Sequence, residues 1–340
     1  MADNPTAGAT MMEELRSLCT KSDFLLLSVL PKSKKLKVWF LDSNSLTEFW
    51  FVDFLGRQSF RFKVSCHEMN LPSFLSEQVT IWPYTNSDAQ YAAAFEQIQT
   101  IILNGKIEKL VLSRIWEEAF NSVDALNLFL ELSQVYKNHA LYWLRHSEIG
   151  EWMGASPELL LKKDGKRIFT HALAGTLGLQ NGPFGAKEKE EHLMVSRFIK
   201  ETFLNWGASQ IELVGPYEWE TGKIKHLKTD ISADYAGNEL DILLALHPSP
   251  AVSGLPKQEA ISAIQNIEKH NRAFYTGFFG WKQPEHSEFF VNLRCLEMHQ
   301  NKVRFYVGGG ITAQSQLHRE FEETEEKRMA LYPYWKKHAY

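Results

Sequence analysis

The chain has 340 residues, of which 44% are hydrophobic and 13% aromatic, and this is enough for a substantial core. Its 37 basic and 41 acidic residues are mixed along the sequence and give a formal net charge of −4, which argues against a nucleic acid or a membrane surface as partner. Three widely spaced cysteines predict neither a disulfide framework nor a zinc site. We expect a cytoplasmic globular protein without an export or membrane segment, acting on a small molecule.

The first part of the chain is rich in predicted strands. A short amphipathic helix and four strands, separated by turn-forming residues, are predicted at 11–19, 24–30, 36–41, 48–54 and 59–66. The next segment, YAAAFEQIQTIILNG, has helical spacing of apolar residues and ends at Gly105. A strand over 108–114 follows.

The remaining chain alternates strands with helices. The predicted strands lie at 140–146, 150–154, 158–162, 167–172, 210–217 and 224–234. The predicted helices lie at 187–206, 238–246, 257–272 and 317–331, and a hairpin over 288–307 turns at HQNK. Several neighbouring strands are joined by loops too short for a crossover helix. The pattern therefore favours one mainly antiparallel α+β domain over a doubly wound parallel sheet.

The strand EKLVLSR carries a lysine at the head of its apolar run. Alternation places Lys109 on the same face as Val111 and Ser113. A lysine at a strand end usually faces water, so the substitution Lys109→Ala is expected to spare the fold. A role as a base would instead require a neutral amine, which costs on the order of 4.6 kcal/mol at pH 7 for an unperturbed lysine.

Acidic residues stand at two further notable positions. Glu158 begins an apolar run in GASPELLL; a glutamate there is usually solvated, and a role as proton donor requires a pocket that raises its pKa. Glu191 lies on the packing face of a predicted helix, four residues before Val195. A carboxylate at the end of a buried face needs a partner, either a metal ion or an arginine.

The last predicted helix and the hairpin before it carry further candidates. Glu320, Glu323 and Lys327 share one helical face, which is usually solvated, although carboxylates from two helices suit Mg²⁺. The sequence predicts Asn292 and Arg294 on one face of a hairpin strand. The run Gly308 to Gly310 in the other strand is either a tight turn or a place where backbone amides approach an anion, so that with Arg294 it forms a carboxylate clamp.

A set of motifs in a fixed order resembles the chorismate-utilising enzymes, and among them the isochorismate synthases of menaquinone and siderophore pathways. The motifs are KLVLSR, GASPELLL, HALAGT, EEHLMV, HLKTDI, LHPSPAVSGLP, RAFYTGFFGW, NLRCLE, VGGGI and EFEETEEK. They span about residues 90–332, whereas residues 1–85 are divergent and shorter than is usual. The resemblance implies one large α+β domain of two packed antiparallel sheets with helices outside. It also implies a monomer that binds chorismate and Mg²⁺ in a deep pocket and needs no redox cofactor.

The resemblance implies a role for each matching position. Lys109 matches the base that activates water, and Glu158 matches the acid that protonates the departing hydroxyl. Glu191 and Glu323 match the two carboxylates that bind Mg²⁺, with Glu320 acting through water. The implied substrate-binding residues are Gly175 and Thr176 on the ring-carboxylate side, Tyr275, Arg294 and the Gly308 amide for the enolpyruvyl carboxylate, and His226 and Lys327 as further pocket positions.

The implied reaction adds water at C2 of chorismate while the C4 hydroxyl departs. Lys109 stands where relatives that make aminated products carry a neutral residue, and Ala174 stands where aminodeoxychorismate synthase has a lysine. Salicylate synthases share Lys109 and then eliminate pyruvate, so they are the alternative, although the loop HPSPAV favours the group that releases isochorismate. A scaffold without activity is a third reading, against which stand Lys109, Glu158, Glu191 and Glu323.

Overall fold

The computed structural model describes residues 5–71, 89–180, 182–221 and 224–340. These residues form sixteen strands and eight helices. Every pairing between the described strands is antiparallel. The predicted fold class, a mainly antiparallel α+β protein, is confirmed. The predicted boundary at residue 85 lies outside the described residues.

The helices are α1 (Pro5–Lys21), α2 (Ala89–Leu103), α3 (Ala125–Val135), α4 (Ala186–Asn205), α5 (Glu239–Leu246), α6 (Lys257–Ile267), α7 (Leu317–Arg328) and α8 (Tyr332–His338). The strands are β1 (Leu25–Val29), β2 (Lys35–Leu41), β3 (Glu48–Val52), β4 (Ser59–Asn70), β5 (Lys109–Ala119), β6 (Ala140–His146), β7 (Gly150–Ser156), β8 (Leu159–Asp164), β9 (Arg167–Gly178), β10 (Ser209–Thr221), β11 (Ile224–Asp234), β12 (Gly254–Leu255), β13 (Phe278–Lys282), β14 (His286–Val291), β15 (Cys295–His299) and β16 (Lys302–Thr312). No helix in these described ranges is both long and apolar enough to span a membrane.

The long strand β4 belongs to two sheets. Its first half pairs with β3 in a sheet of order β10-β11-β9-β8-β14-β13-β3-β4, which we call the first sheet. Its second half pairs with β2 in a sheet of order β4-β2-β1-β6-β7-β15-β16-β5-β12, which we call the second sheet. The sequence predicts only 59–66 of this strand, and the extension to Asn70 provides most of the pairing in the second sheet.

Aromatic side chains fill the space between the two sheets. Phe51 of the first sheet lies 5.4 Å from Tyr142 and 6.2 Å from Trp152 of the second, measured between ring centroids. Trp39 and Trp281 stack across the same interior at 5.4 Å. Rings of this size bury a large apolar area, and their contact at these distances holds the sheets face to face.

Helices cover the outer faces of both sheets. Helices α1, α3 and α8 pack on the second sheet through residues such as Phe129 and Trp335, whereas α4 and α5 pack on the first sheet through Val195 and Ile242. Helices α2 and α6 cover β5, where Leu110 and Leu112 face them. Val111 faces the opposite side, as the predicted alternation requires.

Besides 42–47 between β2 and β3, two shorter connections carry the chain from one sheet to the other. One is Pro157 and Glu158, between β7 of the second sheet and β8 of the first. The other is 292–294, between β14 of the first sheet and β15 of the second. The predicted hairpin over 288–307 is therefore wrong in its first half, and Asn292 and Arg294 do not lie in a strand. Its predicted turn is confirmed, because Gln300 and Asn301 join β15 to β16 with positive φ.

Three helices differ from the predicted ones. Helix α3 lies in a stretch for which the pattern predicts no element, and Asp124 caps it by accepting a hydrogen bond from the Asn127 amide. The predicted helix over 257–272 ends at Ile267, because the following residues turn inward and the Glu268 and Arg272 side chains form a buried ion pair at 2.6 Å. The predicted helix over 317–331 is α7, which ends at Arg328, and α8 follows it in a stretch for which the pattern predicts no element.

Candidate active site

A cavity opens where β5, β9, β11 and β16 meet α4 and α7. It encloses about 800 Å³, including its open mouth. Ten of the predicted site residues line it, namely Glu158, Gly175, Thr176, Glu191, His226, Tyr275, Arg294, Gly308, Glu323 and Lys327. The other two, Lys109 and Glu320, lie directly behind its wall. The fold thus brings all twelve residues, from widely separated parts of the sequence, to one place.

The glycine run lies in the middle of a strand, so the predicted tight turn is wrong. Gly308 pairs with Ser113 of β5, and Gly310 pairs with Val111. Beyond Phe305, β16 pairs with β5 and with no other described strand. The other edge of β16 faces the cavity wall. A side chain at Gly310 would collide with the Glu191 carboxylate and would lie 2.9 Å from Lys109 Cε. Glycine is needed here because it lets these two groups come close to the backbone.

Lys109 does not face water. Its side chain is 0% exposed, and Nζ lies 2.7 Å from Glu191 Oε1, close enough for an ion pair. The predicted exposure is therefore wrong. The expectation that Lys109→Ala spares the fold stays a prediction, and that change would leave the Glu191 carboxylate without its nearest cation in a buried setting.

The partner of Glu191 is a lysine, whereas the sequence suggested a metal ion or an arginine. Burial by itself would raise the pKa of Glu191, but Lys109, and then Lys187 and Lys327, outweigh burial and lower that pKa. Glu191 is consequently anionic at neutral pH. The nearby lysines come from β5, α4 and α7, so all three elements contribute to its charge state.

Three carboxylates meet along the glycine run. A Cβ atom at Gly309 would lie 3.7 Å from Glu320 Oε2 and 3.8 Å from Glu323 Oε1, and Glu191 reaches the neighbouring Gly310. Each carboxylate pairs with a lysine: Glu191 with Lys109, Glu320 with Lys187, and Glu323 with Lys327. Within the described ranges, no three metal-binding side chains already stand in a coordinating arrangement.

Glu320 is the most confined of the three carboxylates. It is 1% exposed, and its Oε2 has no hydrogen-bond partner among the residues that the structure describes. Burial, and then the neighbouring Glu323, raise its pKa. An oxygen-only donor set with an unsatisfied buried oxygen fits a hard divalent cation such as Mg²⁺, which would satisfy that oxygen and offset the repulsion.

Glu158 is the second kind of carboxylate in this cavity. It is 5% exposed, at the connection where the chain passes from β7 to β8. Burial raises its pKa to about 8, and Lys109 and Lys327 offset this only in part. Glu158 is therefore protonated at neutral pH while Glu191 is ionised. Two carboxyl groups held in opposite protonation states in one cavity are suited to acid and base roles.

The Arg294 side of the cavity is built for an anion. Arg294 is partly buried, and its Nη1 donates to His139 Nε2 at 2.9 Å. Thr176 Oγ1 lies 3.1 Å from His226 Nδ1. Burial, and then Arg294 and Lys327, lower the pKa of His226 well below its usual value, so the ring is neutral. The cationic groups facing this part of the cavity are thus Arg294 and Lys327.

Tyrosines and backbone complete the wall opposite the acidic cluster. Tyr275 and Tyr306 stack with ring centroids 5.6 Å apart, and a Cβ atom at Gly308 would lie 3.0 Å from Tyr275 Oη. Lys327 Nζ donates to the Gly308 carbonyl at 2.8 Å. Across the cavity, Gly175 has φ +74° and lies so close to α4 that a Cβ atom would meet the Glu188 carbonyl at 2.7 Å.

Two residues of this site were not predicted from the sequence. Tyr306 lies in β16, just before the glycine run. The alternation of residues along this strand did not indicate that the Tyr306 ring would face Tyr275. His139 lies in the turn between α3 and β6, outside every motif. Both contacts are made across the fold between residues far apart in sequence, so no local spacing could have indicated them.

Comparisons with known proteins identify the family. The chain belongs to the chorismate binding enzyme family, whose sequence profile matches residues 57–333. It is 29% identical over 283 residues to the vibriobactin-specific isochorismate synthase of Vibrio cholerae, which covers 77% of this chain and 71% of that protein. It is 30% identical over 239 residues to the isochorismate synthase EntC of Escherichia coli, which covers 65% of this chain and 61% of that protein.

A solved structure shows the same fold. The crystal structure of a putative 2,3-dihydroxybenzoate-specific isochorismate synthase, DhbC from Bacillus anthracis, superposes with a TM-score of 0.78. The match covers 94% of this chain and 98% of that chain at 21% identity. At this identity the likeness establishes the architecture.

The raised pKa of Glu158 predicts a pH-dependent loss of stability. Between pH 4.5 and about 8 the folded chain keeps a proton that the unfolded chain has released, so folding becomes less favourable as pH rises, by about 5 kcal/mol over the window. In Glu158→Gln this loss should be absent. Urea denaturation at pH 5, 6, 7 and 8 should show the variant gaining stability relative to the parent. The exposed Glu322→Gln is the control, and a pH-independent difference for Glu158→Gln would contradict the prediction.

Proposed function

We propose that the protein is an isochorismate synthase, which converts chorismate to isochorismate with Mg²⁺ as cofactor. The observation that supports this proposal most strongly is that one cavity holds two buried carboxyl groups in different states. Glu158 is protonated, and Glu191 is ionised beside Lys109. In the reaction a water oxygen bonds to C2, the C4–O bond breaks and the diene shifts. One proton leaves the attacking water and one joins the departing hydroxide, so the atoms of the substrate are conserved in number and no oxidant is needed.

Lys109 and Glu158 are the proposed base and acid. Glu158 holds its proton at neutral pH and is therefore able to protonate the C4 hydroxyl as it departs. Lys109, in its neutral amine form, accepts the proton that leaves the attacking water, and its Nζ lies 2.7 Å from Glu191 Oε1. The two groups come from β5 and from the crossing after β7, so they reach the cavity from different elements. This arrangement supports acid and base action at two positions of one ring.

Chorismate carries two carboxylates, and the proposed binding residues separate them. Arg294, Tyr275 and the Gly308 amide receive the enolpyruvyl carboxylate, because a guanidinium pairs well with a carboxylate in a partly buried setting. Gly175 and Thr176 line the ring-carboxylate side together with the neutral His226. Lys327 adds a positive charge between the two groups of residues, next to Gly308.

Glu191, Glu323 and, through water, Glu320 are the proposed Mg²⁺-binding residues. The unsatisfied Oε2 atom of Glu320 and the all-oxygen donor set support this proposal. When bound, the ion supplies positive charge that offsets the repulsion between these carboxylates and a ring carboxylate of the substrate. The lysine paired with each carboxylate offsets the same charges in part.

Release of isochorismate is favoured over further conversion to salicylate. Ala251 and Val252 of the HPSPAV loop line the cavity, as expected for the group that releases isochorismate. The two relatives compared above carry isochorismate synthase in their names, and one is specific for vibriobactin. The proposed product feeds menaquinone or siderophore synthesis. The cytoplasmic location and the monomeric state stay predictions from the sequence.

The direct test is an assay of products. Purified protein is incubated with chorismate, with and without Mg²⁺, and the products are separated by chromatography. We expect isochorismate that forms only with Mg²⁺, because the acidic cluster needs a cation beside an anionic substrate. Salicylate with pyruvate would establish the alternative activity. No turnover with any divalent metal ion would establish a binding protein without activity.

Two substitutions of Lys109 separate its charge from its basicity. Lys109→Met removes the amine, and Lys109→Arg keeps a cation beside Glu191 but cannot lose its proton. If Lys109 is the base, both variants lose turnover by about 10²- to 10⁴-fold in kcat. Thermal unfolding should show Lys109→Arg to be the more stable variant, because it keeps the ion pair. Activity of Lys109→Arg near that of the parent would remove the base role.

Glu323→Gln tests the metal site without removing the side-chain volume. The loss of one anionic oxygen donor should raise the Mg²⁺ concentration for half-maximal activity by at least about tenfold. Glu322→Gln, one residue earlier on α7 and exposed, is the matched control and should keep the parental Mg²⁺ titration. An unchanged titration in Glu323→Gln would show that this carboxylate does not bind the ion.

A further inference from the structure

His139 is a neighbour of Arg294 that no motif predicts. It is 3% exposed, and its Nε2 receives a hydrogen bond from Arg294 Nη1 at 2.9 Å. A guanidinium can only donate, so His139 accepts through Nε2, and the neutral ring carries its proton on Nδ1. Burial, and then Arg294 and His226, lower the pKa of His139 to about 2. The ring is thus a neutral acceptor at neutral pH.

Aromatic rings hold the His139 imidazole in its orientation. The ring of Tyr136 lies 4.8 Å away at 65°, and the ring of Trp219 lies 6.1 Å away at 34°. Tyr136 is itself anchored, because its hydroxyl donates to the Ala330 carbonyl at 2.6 Å. The His139 amide donates to the Tyr136 carbonyl at 3.0 Å, which closes the turn between α3 and β6. The acceptor atom is therefore fixed relative to the body of the protein.

Arg294 needs such a support because of where it lies. It ends the crossing from β14 to β15 and has φ +47°, so its side chain lies outside the regular alternation of a strand. A guanidinium binds a carboxylate through two parallel N–H groups only when its plane is correctly oriented. The bond to His139, with the Tyr136 ring 5.7 Å from the guanidinium carbon, fixes that plane against the cavity.

We propose that His139 is a positioning residue for the substrate, which acts through Arg294 to orient the group that receives the enolpyruvyl carboxylate. The proposal rests on the proposed function, which assigns that carboxylate to Arg294. No bond of this carboxylate forms or breaks in the proposed reaction. Loss of His139 should therefore weaken binding of ground state and transition state alike, which raises KM and leaves kcat nearly unchanged.

Two variants of His139 test the hydrogen bond itself. His139→Leu removes the acceptor, and His139→Gln restores an oxygen acceptor near the position of Nε2. We expect KM for chorismate to rise about ten- to a hundredfold in His139→Leu, as for the loss of a hydrogen bond to a charged group, with kcat within about twofold of the parent. In His139→Gln, KM should return to within about threefold of the parent.

A matched variant controls for loss of stability. His338 is also buried, and its Nε2 lies 2.7 Å from Glu131 Oε2 on α3, the helix that leads to His139. His338→Asn should lower the melting temperature and leave KM unchanged, because His338 is remote from Arg294. If His338→Asn raises KM as much as His139→Leu does, the effect of His139 is only structural and the proposal is wrong.

Direct titration separates this proposal from the proposed function. Chorismate affinity is measured by calorimetry in the presence of Mg²⁺ for the parent and the two His139 variants. Weaker binding in His139→Leu and recovery in His139→Gln support the positioning role even if the parent makes no isochorismate, in which case only the proposed reaction fails. Unchanged affinity and KM in His139→Leu overturn the positioning role while the reaction stands. If the parent neither binds nor converts chorismate, both are wrong.

Discussion

The site is organised around one buried ion pair, between Lys109 of β5 and Glu191 of α4. The ion pair forms because Gly310 of β16 leaves room for both side chains. The strand β5, the helix α4 and this glycine must therefore keep their spacing. A buried charge without its partner is costly, and this cost ties the elements together. The same contact sets Glu191 apart from Glu158, for which burial outweighs the nearby Lys109 and Lys327, so that Glu158 keeps its proton.

Charge compensation continues outward from that pair. Glu320 and Glu323 pair with Lys187 and Lys327 in the way that Glu191 pairs with Lys109, so three anions and three cations alternate across α4, α7 and β5. These ion pairs offset much of the negative charge of the three carboxylates. A cation bound between them would offset the remainder beside an anionic substrate.

Much of this was predictable from the sequence, and the limits have physical causes. Alternation along β5 correctly separated Leu110 and Leu112 from Val111, and antiparallel pairing followed from the short connections. Burial of Lys109 was not predictable, because a strand end gives no sign of the helix that packs over it. The sequence did not predict that the chain changes sheets at 292–294, because an apolar run with regular alternation continues through these residues. The His139 contact depends on tertiary packing alone.

The two sheet crossings are also bonded to each other. The Val291 amide donates to the Glu158 carbonyl, and the Ala155 amide donates to the Arg294 carbonyl, each at 3.0 Å. These two hydrogen bonds form one seam, along which the main chain fixes the positions of Glu158, the proposed proton donor, and of Arg294. Because side chains alternate along extended chain, adding or deleting a single residue on either side of this seam would turn one of the two groups away from the cavity. Homologous chains can vary freely in the length of their outer loops, whereas these connections must keep their length.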